Sequence, residues 1–314
     1  MELRQLRYFV RIVDLGSVSK AAADLYVAQP ALSKQVAALE AELKTPLLVR
    51  SPRGVTPTEA GLAFYAQAQA ILRQVGRVPD EVRSAAGHPT GLVAVGMPYS
   101  PSCIVAPALV AATRKALPGV KLSITQASSG HLASLLASGR LNLSLVFERG
   151  QQTRHVEEIP LLTEELFLVT RDDGRPASTK GDTVALRDAA REPLVLPGPA
   201  NTTRRIVEQA LAREGLTLDL VAEVDAPWTT RAIVAQGIGA AIVSHSALYP
   251  DGDKAGLRVR RIVRPSLTRT INLCTSRNET LGRAASHVLE LLAEVVRELV
   301  RSGAWRGATL ANRR

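Results

Sequence analysis

Three short apolar-striped segments fill the first 45 residues, with only a three-residue gap between the second and the third. Few folds accommodate that pattern. Arg4–Asp14 spaces Leu6, Phe9, Val10 and Val13 three and four apart, along one face of a helix. Gly16-Ser17 stops that helix, and Ser17 is placed to cap a second one through Ala21-Ala22-Ala23-Asp24-Leu25. After Tyr26-Val27-Ala28, Gln29-Pro30 opens a third helix, with the proline in the first turn where its missing N–H is no loss. Leu32, Val36, Leu39 and Leu43 form the buried stripe of that helix. The spacing predicts a helix-turn-helix. Leu47–Arg50, a turn at Ser51-Pro52-Arg53-Gly54 and a return through Val55-Thr56 predict a two-stranded wing with Arg53 at its tip.

Thr58 begins a helical stretch to about Gly87, long enough for about 45 Å at 1.5 Å per residue. Its apolar line runs Phe64, Ala68, Ile71, Val75, Val78, Val82 and Ala85, in alternating steps of four and three. Such a line suits a partner helix, with burial of a single helix as the competing explanation. Phe64, Ala68, Ile71 and Val75 are the candidate dimer interface, and Pro79 predicts a kink near Arg77–Pro79.

Gly87-His88-Pro89-Thr90-Gly91 reads as a hinge, and beyond it strands alternate with helices. Strands are expected at Leu92–Met97, Lys121–Gln126, Asn142–Phe147, Leu166–Thr170, Pro193–Leu196, Leu218–Val224, Ala240–Ser244, Leu257–Val263 and Thr270–Thr275. Helices are expected at Ile104–Ala116, Gly130–Ser138, Asn201–Glu214, Trp228–Gln236 and Leu281–Val300. That is an α/β arrangement, and strands in two groups predict two lobes.

Composition narrows the function. Hydrophobic residues make up 46% and charged residues 22%, enough for a real core. Cys103 and Cys274 are too few and too far apart for a disulfide framework or a four-cysteine metal site. The N-terminus carries charges where a signal peptide needs an apolar run, and Ala232–Val243 is too short to span a membrane, so a cytoplasmic protein is expected. A net charge of +10 favours an anionic partner, yet residues 1–60 carry eight basic and six acidic side chains, so bulk charge does not locate it.

Catalytic patterns are lacking. There is no G-x-S-x-G elbow, no P-loop and no H-x-x-x-H pair. Gly237-Ile238-Gly239 begins like a dinucleotide fingerprint but precedes a strand, and reads better as a helix stop. Asp172-Asp173 and Glu157-Glu158 read as solvated charges. No catalytic residue, cofactor or metal is expected. By contrast, Gln29, Ser33 and Lys34 stand at the start of the third helix away from its apolar stripe. Gln can pair with adenine N6 and N7, and Lys with guanine O6 and N7 or with a phosphate. Arg53 at a wing tip suits a minor groove or a phosphate.

These residues carry a resemblance. Gly16-Ser17, Ala21-Ala22-Ala23, Leu25, Val27 through Ser33, Leu39-Glu40, Leu43, Pro46-Leu47, Arg50, Arg53-Gly54-Val55, Thr58 and Ala60-Gly61 together resemble the winged helix-turn-helix of LysR-type transcriptional regulators. Leu132-x-x-Leu135-x-x-x-Gly139-x-Leu141-Asn142 and Gly237-x-Gly239 sit where that family has similar runs. The sequence departs from the family at Ala28 (usually Ser), Lys44 (commonly Gly) and Asn142 (usually Asp). Losing the serine costs a cap worth about 1 kcal/mol, and Lys44 must tolerate a turn that suits glycine.

The resemblance implies an α+β multidomain chain. Residues 1–58 form a winged helix-turn-helix, 59–89 a linker and dimerisation helix with a hinge, and 90–300 a two-lobed α/β effector domain resembling periplasmic binding proteins. Lobe I is placed at about 90–161 plus 267–300, lobe II at about 162–266, and 301–314 is read as a basic tail. Implied partners are double-stranded DNA, a second or third and fourth copy of the chain (a homodimer or homotetramer), RNA polymerase, and a small, anionic effector between the lobes. The DNA-facing set is Gln29, Pro30, Ser33, Lys34, Arg50 and Arg53. The effector set is Ser100, Ser102, Ser128, Ser129, Asn201, Thr202 and Thr203, where hydroxyls and free N–H groups at helix starts serve an anion or, taken singly, merely cap. Trp228 lines the cleft or packs in the core. A solute-binding protein would leave residues 1–60 without a use, and a two-lobed enzyme lacks a catalytic constellation.

Overall fold

The computed structural model describes residues 1–52, 54–85, 89–148, 155–174, 182–249, 256–277 and 280–311, the side chains of 84 and 85 excepted. Met1–Arg83 with Ser138–Arg140 forms one compact unit and the α/β remainder another.

In the first unit, α1 (Leu3–Leu15), α2 (Val18–Asp24) and α3 (Gln29–Leu43) enclose a core of Phe9, Ile12, Val18, Ala21, Leu32, Val36 and Leu39. Gly16 ends α1 in the left-handed region at φ 61°, and the Ser17 hydroxyl accepts from the Lys20 N–H. Leu43 departs from the expected stripe: it is exposed, because the stripe has rotated to the surface by the last turn. Arg11 bridges both oxygens of Asp24, tying α1 to α2 and holding that carboxyl below its usual range.

The wing is β1 (Leu48–Ser51) paired antiparallel with β2 (Gly54–Pro57). Two contacts fix it. Val55 N–H donates to the Gly16 carbonyl at 2.8 Å, so close that a Cβ on Gly54 would stand 2.6 Å from the same oxygen. The Glu40 carboxylate, on α3, accepts from the Leu47 N–H at 2.7 Å and the Leu48 N–H at 3.1 Å. Thr58 then caps α4 (Glu59–Ala85), accepting from the Gly61 N–H and donating to the Pro46 carbonyl, each at 2.9 Å. The backbone of α4 crosses so near Leu47 that a Cβ at residue 61 would lie 2.0 Å from its carbonyl oxygen; only glycine fits. The helix runs on unbroken through Pro79.

The second unit is built from β3 (Gly91–Met97), α5 (Tyr99–Ala116), β4 (Val120–Gln126), α6 (Ser129–Ala137), β5 (Leu143–Phe147), β6 (Val156–Arg171), β7 (Thr183–Ala185), α7 (Leu186–Ala189) and β8 (Leu194–Leu196). It continues through α8 (Thr202–Arg213), β9 (Leu220–Glu223), α9 (Pro227–Ala235), β10 (Ala240–Ser244), β11 (Leu257–Val263), β12 (Thr268–Ser276), α10 (Arg283–Arg301) and β13 (Ala308–Leu310). Lobe I has strand order β4-β3-β5-β12-β6, and lobe II β6-β10-β8-β9 with β11 and β7 on the other side of β6. A single strand, β6, thus serves both sheets: residues 156–165 pair with β12, and 166–171 with β10 and β11. The expected strand at Leu166–Thr170 is only its second half. The chain crosses back between β11 and β12.

Each sheet is covered by helices on both faces. Val93, Val95, Met97, Leu143 and Leu145 pack against α5 and α10 in lobe I, and Leu132 and Leu136 of α6 cover the other face. In lobe II, Leu166, Leu168, Leu194 and Leu196 pack against Val207 and Leu211 of α8. Fully burying one such side chain contributes about 2 kcal/mol. Helix α5 starts five residues before the expected Ile104, since Pro101 sits in its first turn, where proline is tolerated.

Two expectations are corrected. Residues 301–311 of the expected basic tail are docked on lobe I, which does not end at residue 300. Trp305 is only 1% exposed and sits in the lobe I core, and β13 pairs antiparallel with residues 162–164 of β6. The last residues, 312–314, lie outside the described chain. In the expected dimer seam, Phe64 meets Phe9 edge to face at 5.0 Å between centroids, and Ala68 is completely covered within the single chain. Half of that seam is therefore used internally. Ile71 and Val75 remain half-exposed, and Leu62, Val78 and Val82 stand exposed.

Candidate nucleic-acid interface and ligand cleft

At the start of α3, Gln29, Pro30 and Lys34 are exposed and Ser33 is half-buried, opposite the wholly buried Leu32, Val36 and Leu39. Ala28 stands at the N-cap with no side-chain hydrogen bond, so the first-turn N–H groups of α3 point outward unpaired by that residue. Ser19, on α2, donates to the Gln29 side-chain oxygen at 3.1 Å and holds the amide in place. Arg50 is exposed on β1; Arg53 lies outside the described residues. One residue the sequence reading passed over is Tyr26. It is 95% exposed at the α2–α3 turn and adopts φ 54°. Lys44 also sits in the left-handed region, at φ 50°, where it ends α3.

The cleft in the second unit is a cavity of about 870 Å³. It opens at the carboxyl ends of the parallel strands β3, β4, β8 and β9, where α/β sheets bind ligands. The helices that follow those strands, α5, α6, α8 and α9, all begin at its wall, so their first-turn N–H groups and four positive dipole ends converge. Ser100, Ser128, Ser129, Asn201, Thr202 and Thr203 line it. Ser102 does not. Its hydroxyl donates to the Tyr99 carbonyl at 2.7 Å and accepts from the Gln126 amide at 2.6 Å, inside lobe I.

Several of these groups are engaged. The Ser129 hydroxyl accepts from the Phe147 N–H at 3.1 Å, and the Asn201 side chain caps α8 by accepting from the Thr203 N–H at 2.9 Å. Trp228 is neither core nor cavity wall: it is exposed, its ring edge-on to Tyr99 at 6.4 Å. The residue most at odds with the sequence reading is Arg269, on β12. It lines the cavity, is 6% exposed, and donates from Nε to Glu164 at 2.7 Å. Nothing in the alternation of Thr268–Ser276 distinguishes it except a charge at an inward position. Both cysteines are free thiols, and burial pushes the Cys103 thiol up, away from reactive thiolate.

Known proteins agree with this architecture. Residues 3–62 match the bacterial regulatory helix-turn-helix proteins of the lysR family, and residues 86–297 match the LysR substrate binding domain. The nitrogen assimilation regulatory protein nac of Klebsiella aerogenes is 36% identical over 298 residues, covering 94% of this chain and 95% of that protein. The transcriptional regulator BbuR of Bordetella bronchiseptica is 29% identical over 306 residues, covering 96% and 92%. Full-length OxyR from Pseudomonas aeruginosa superposes with a TM-score of 0.73 over 100% of this chain and 99% of that one, at 24% identity, which speaks for the fold. Full-length CbnR in complex with its target DNA gives 0.68 at 26% identity, over 95% and 99%. No helix among the described residues is long and apolar enough to cross a membrane. With both of its units matched over nearly their whole lengths, the chain belongs to the LysR family of DNA-binding transcriptional regulators.

Proposed function

We propose that this regulator reads its operator with Gln29, Ser33 and Lys34 in the major groove, with Pro30 seating the helix and Arg50 and Arg53 on the backbone or minor groove. The observation that carries this is the polar, exposed start of α3 opposite a wholly buried stripe. One helix and one wing touch too little DNA for tight binding, so two copies pair half-sites. Ile71, Val75, Val78 and Val82, in steps of four, three and four along α4, supply the interface. It works in the cytoplasm, with RNA polymerase as a further partner.

A small anion binds in the cavity of the second unit, where the helix starts carrying Ser100, Ser128, Ser129 and Thr202 meet. Convergent N–H groups and dipole ends favour negative charge there. Because relatives are named for nitrogen assimilation, promoters of nitrogen metabolism are the first operators to test. Footprints with Gln29→Ala, Ser33→Ala and Lys34→Ala should each lose roughly 1–3 kcal/mol where a bidentate base contact disappears. Unchanged footprints for all three defeat the assignment. Thr202→Phe fills the cavity, and should abolish the response to a co-purifying metabolite while basal operator binding persists.

A further inference from the structure

The two lobes are joined covalently by two crossings, β6 and the segment between β11 and β12. A hinge of that kind opens unless something spans the cleft. Arg269 spans it. Its Nη1 donates to the Thr203 hydroxyl at 2.6 Å, and its Nη2 to the Ser100 hydroxyl at 2.8 Å and the Ser244 hydroxyl at 2.7 Å. Its guanidinium lies 3.8 Å from the centroid of the Phe147 ring. Arg269, Ser100 and Phe147 belong to lobe I; Thr203 and Ser244 belong to lobe II.

Glu164 completes the arrangement. It is 1% exposed and takes Arg269 Nε on one oxygen. The other oxygen accepts from Ser246 at 3.1 Å and from the Trp305 indole at 2.9 Å. A buried charge pair with every partner satisfied is stable, whereas one broken member is costly. Glu164 is neutralised by Nε and Nη2 of Arg269, at 2.7 and 2.5 Å from the same oxygen. The bond to Thr203, at the start of α8 on the opposite wall, serves a different end.

We propose that Arg269 is an interlobe clasp that holds the cleft shut in the ligand-free protein, by bonding Thr203 and Ser244 of lobe II from the floor of lobe I. The clasp stands whether or not an effector occupies the cavity above it. It also orients the site. Ser100 and Thr203 accept from Arg269, so each hydroxyl keeps its own proton to donate into the cavity, which then reads acceptor oxygens.

The test uses full-length protein without added small molecules. Nitroxide labels go on cysteines at Ala116 and Ala212, exposed at the far ends of α5 and α8, in a background with Cys103 and Cys274 changed to alanine. Distances are read by pulsed electron paramagnetic resonance. Labelled chains are diluted in excess unlabelled chain, so that only distances within one chain are read. The double variant Thr203→Val/Ser244→Ala removes both lobe II acceptors and leaves the Arg269–Glu164 pair intact, so folding is retained. Wild type should give one narrow distance. The double variant should add a longer one, with the open-to-closed ratio rising at least about tenfold, the lower bound for one hydrogen bond to a charged group. Thr203→Ser/Ser244→Thr, which keeps both hydroxyls, should restore the narrow distribution. A double-variant distribution matching wild type, a wild type already spread over both distances, or no rescue by the hydroxyl-keeping variant overturns the clasp.

Discussion

Glu40 is the tie between α3 and the wing beside it, and its removal tests whether that tie is energetic. Its single oxygen accepts from two amides, Leu47 at 2.7 Å and Leu48 at 3.1 Å, both in nearly fully buried residues. A hydrogen bond to a charged acceptor contributes about 1.5–3 kcal/mol. The two bonds share one oxygen, and Glu40 is half-exposed, so water replaces part of the loss. Glu40→Ala should therefore cost about 2–3 kcal/mol locally, although alanine is the better helix former. Native-state hydrogen exchange reads those two amides directly, and both should exchange roughly 30- to 150-fold faster at that cost. Glu40→Gln keeps an acceptor and should accelerate them only about fivefold, a loss near 1 kcal/mol. If the alanine variant stays within threefold of wild type, or if glutamine behaves like alanine, the carboxylate is not what pins the wing.

Ile71→Glu should bury an unpaired charge in the α4 interface and shift sedimentation from dimer to monomer; a variant that stays dimeric refutes the seam. Lys44→Gly removes left-handed strain at φ 50° and should stabilise the first unit by about 1 kcal/mol in thermal melting, whereas a lower melting temperature contradicts the strain argument. Tyr65 donates to Asp14, and burial together with that carboxylate pushes its phenol up to about 12. A raised pKa means the folded state holds the proton longer. The stabilisation is complete below pH 10 and is lost as pH rises from 10 through about 12. Among the five tyrosines, ultraviolet titration should show a late step that Tyr65→Phe deletes.

Helical periodicity was legible because α1 and α3 bury one stripe each, and strict spacing marks it. The wing was legible from glycine and proline in its turn. What escaped were features set by distant residues. β6 read as half its length because Pro160 and the acidic pairs Glu157-Glu158 and Glu164-Glu165 look like loop, although β12 supplies their pairing partners. Basic Arg301 and Arg306 disguised a C-terminal segment that is anchored on lobe I by one buried side chain, Trp305, which was the available signal. Phe64 fits a heptad line yet packs on Phe9, and a one-dimensional pattern cannot tell a partner helix from the chain's own core. Most of the polar residues that line the cleft were indicated by the family resemblance. Arg269 and Glu164, 105 positions apart, were not, since a charge in a strand reads as surface until its counter-ion is known.

The position of β13 has a consequence during synthesis. Once about 65 residues have emerged from the ribosome, every contact of the winged helix-turn-helix core, Phe64 and Tyr65 included, is present. Lobe II follows as an uninterrupted insertion between the halves of lobe I. Lobe I must wait for β12, α10 and finally Trp305 and Ala308–Leu310, the strand laid against residues 162–164 of β6. Domains fold in the order they emerge. A growing chain is thus a DNA binder before it is a sensor, and one that stops a dozen residues short leaves Glu164 without its indole partner.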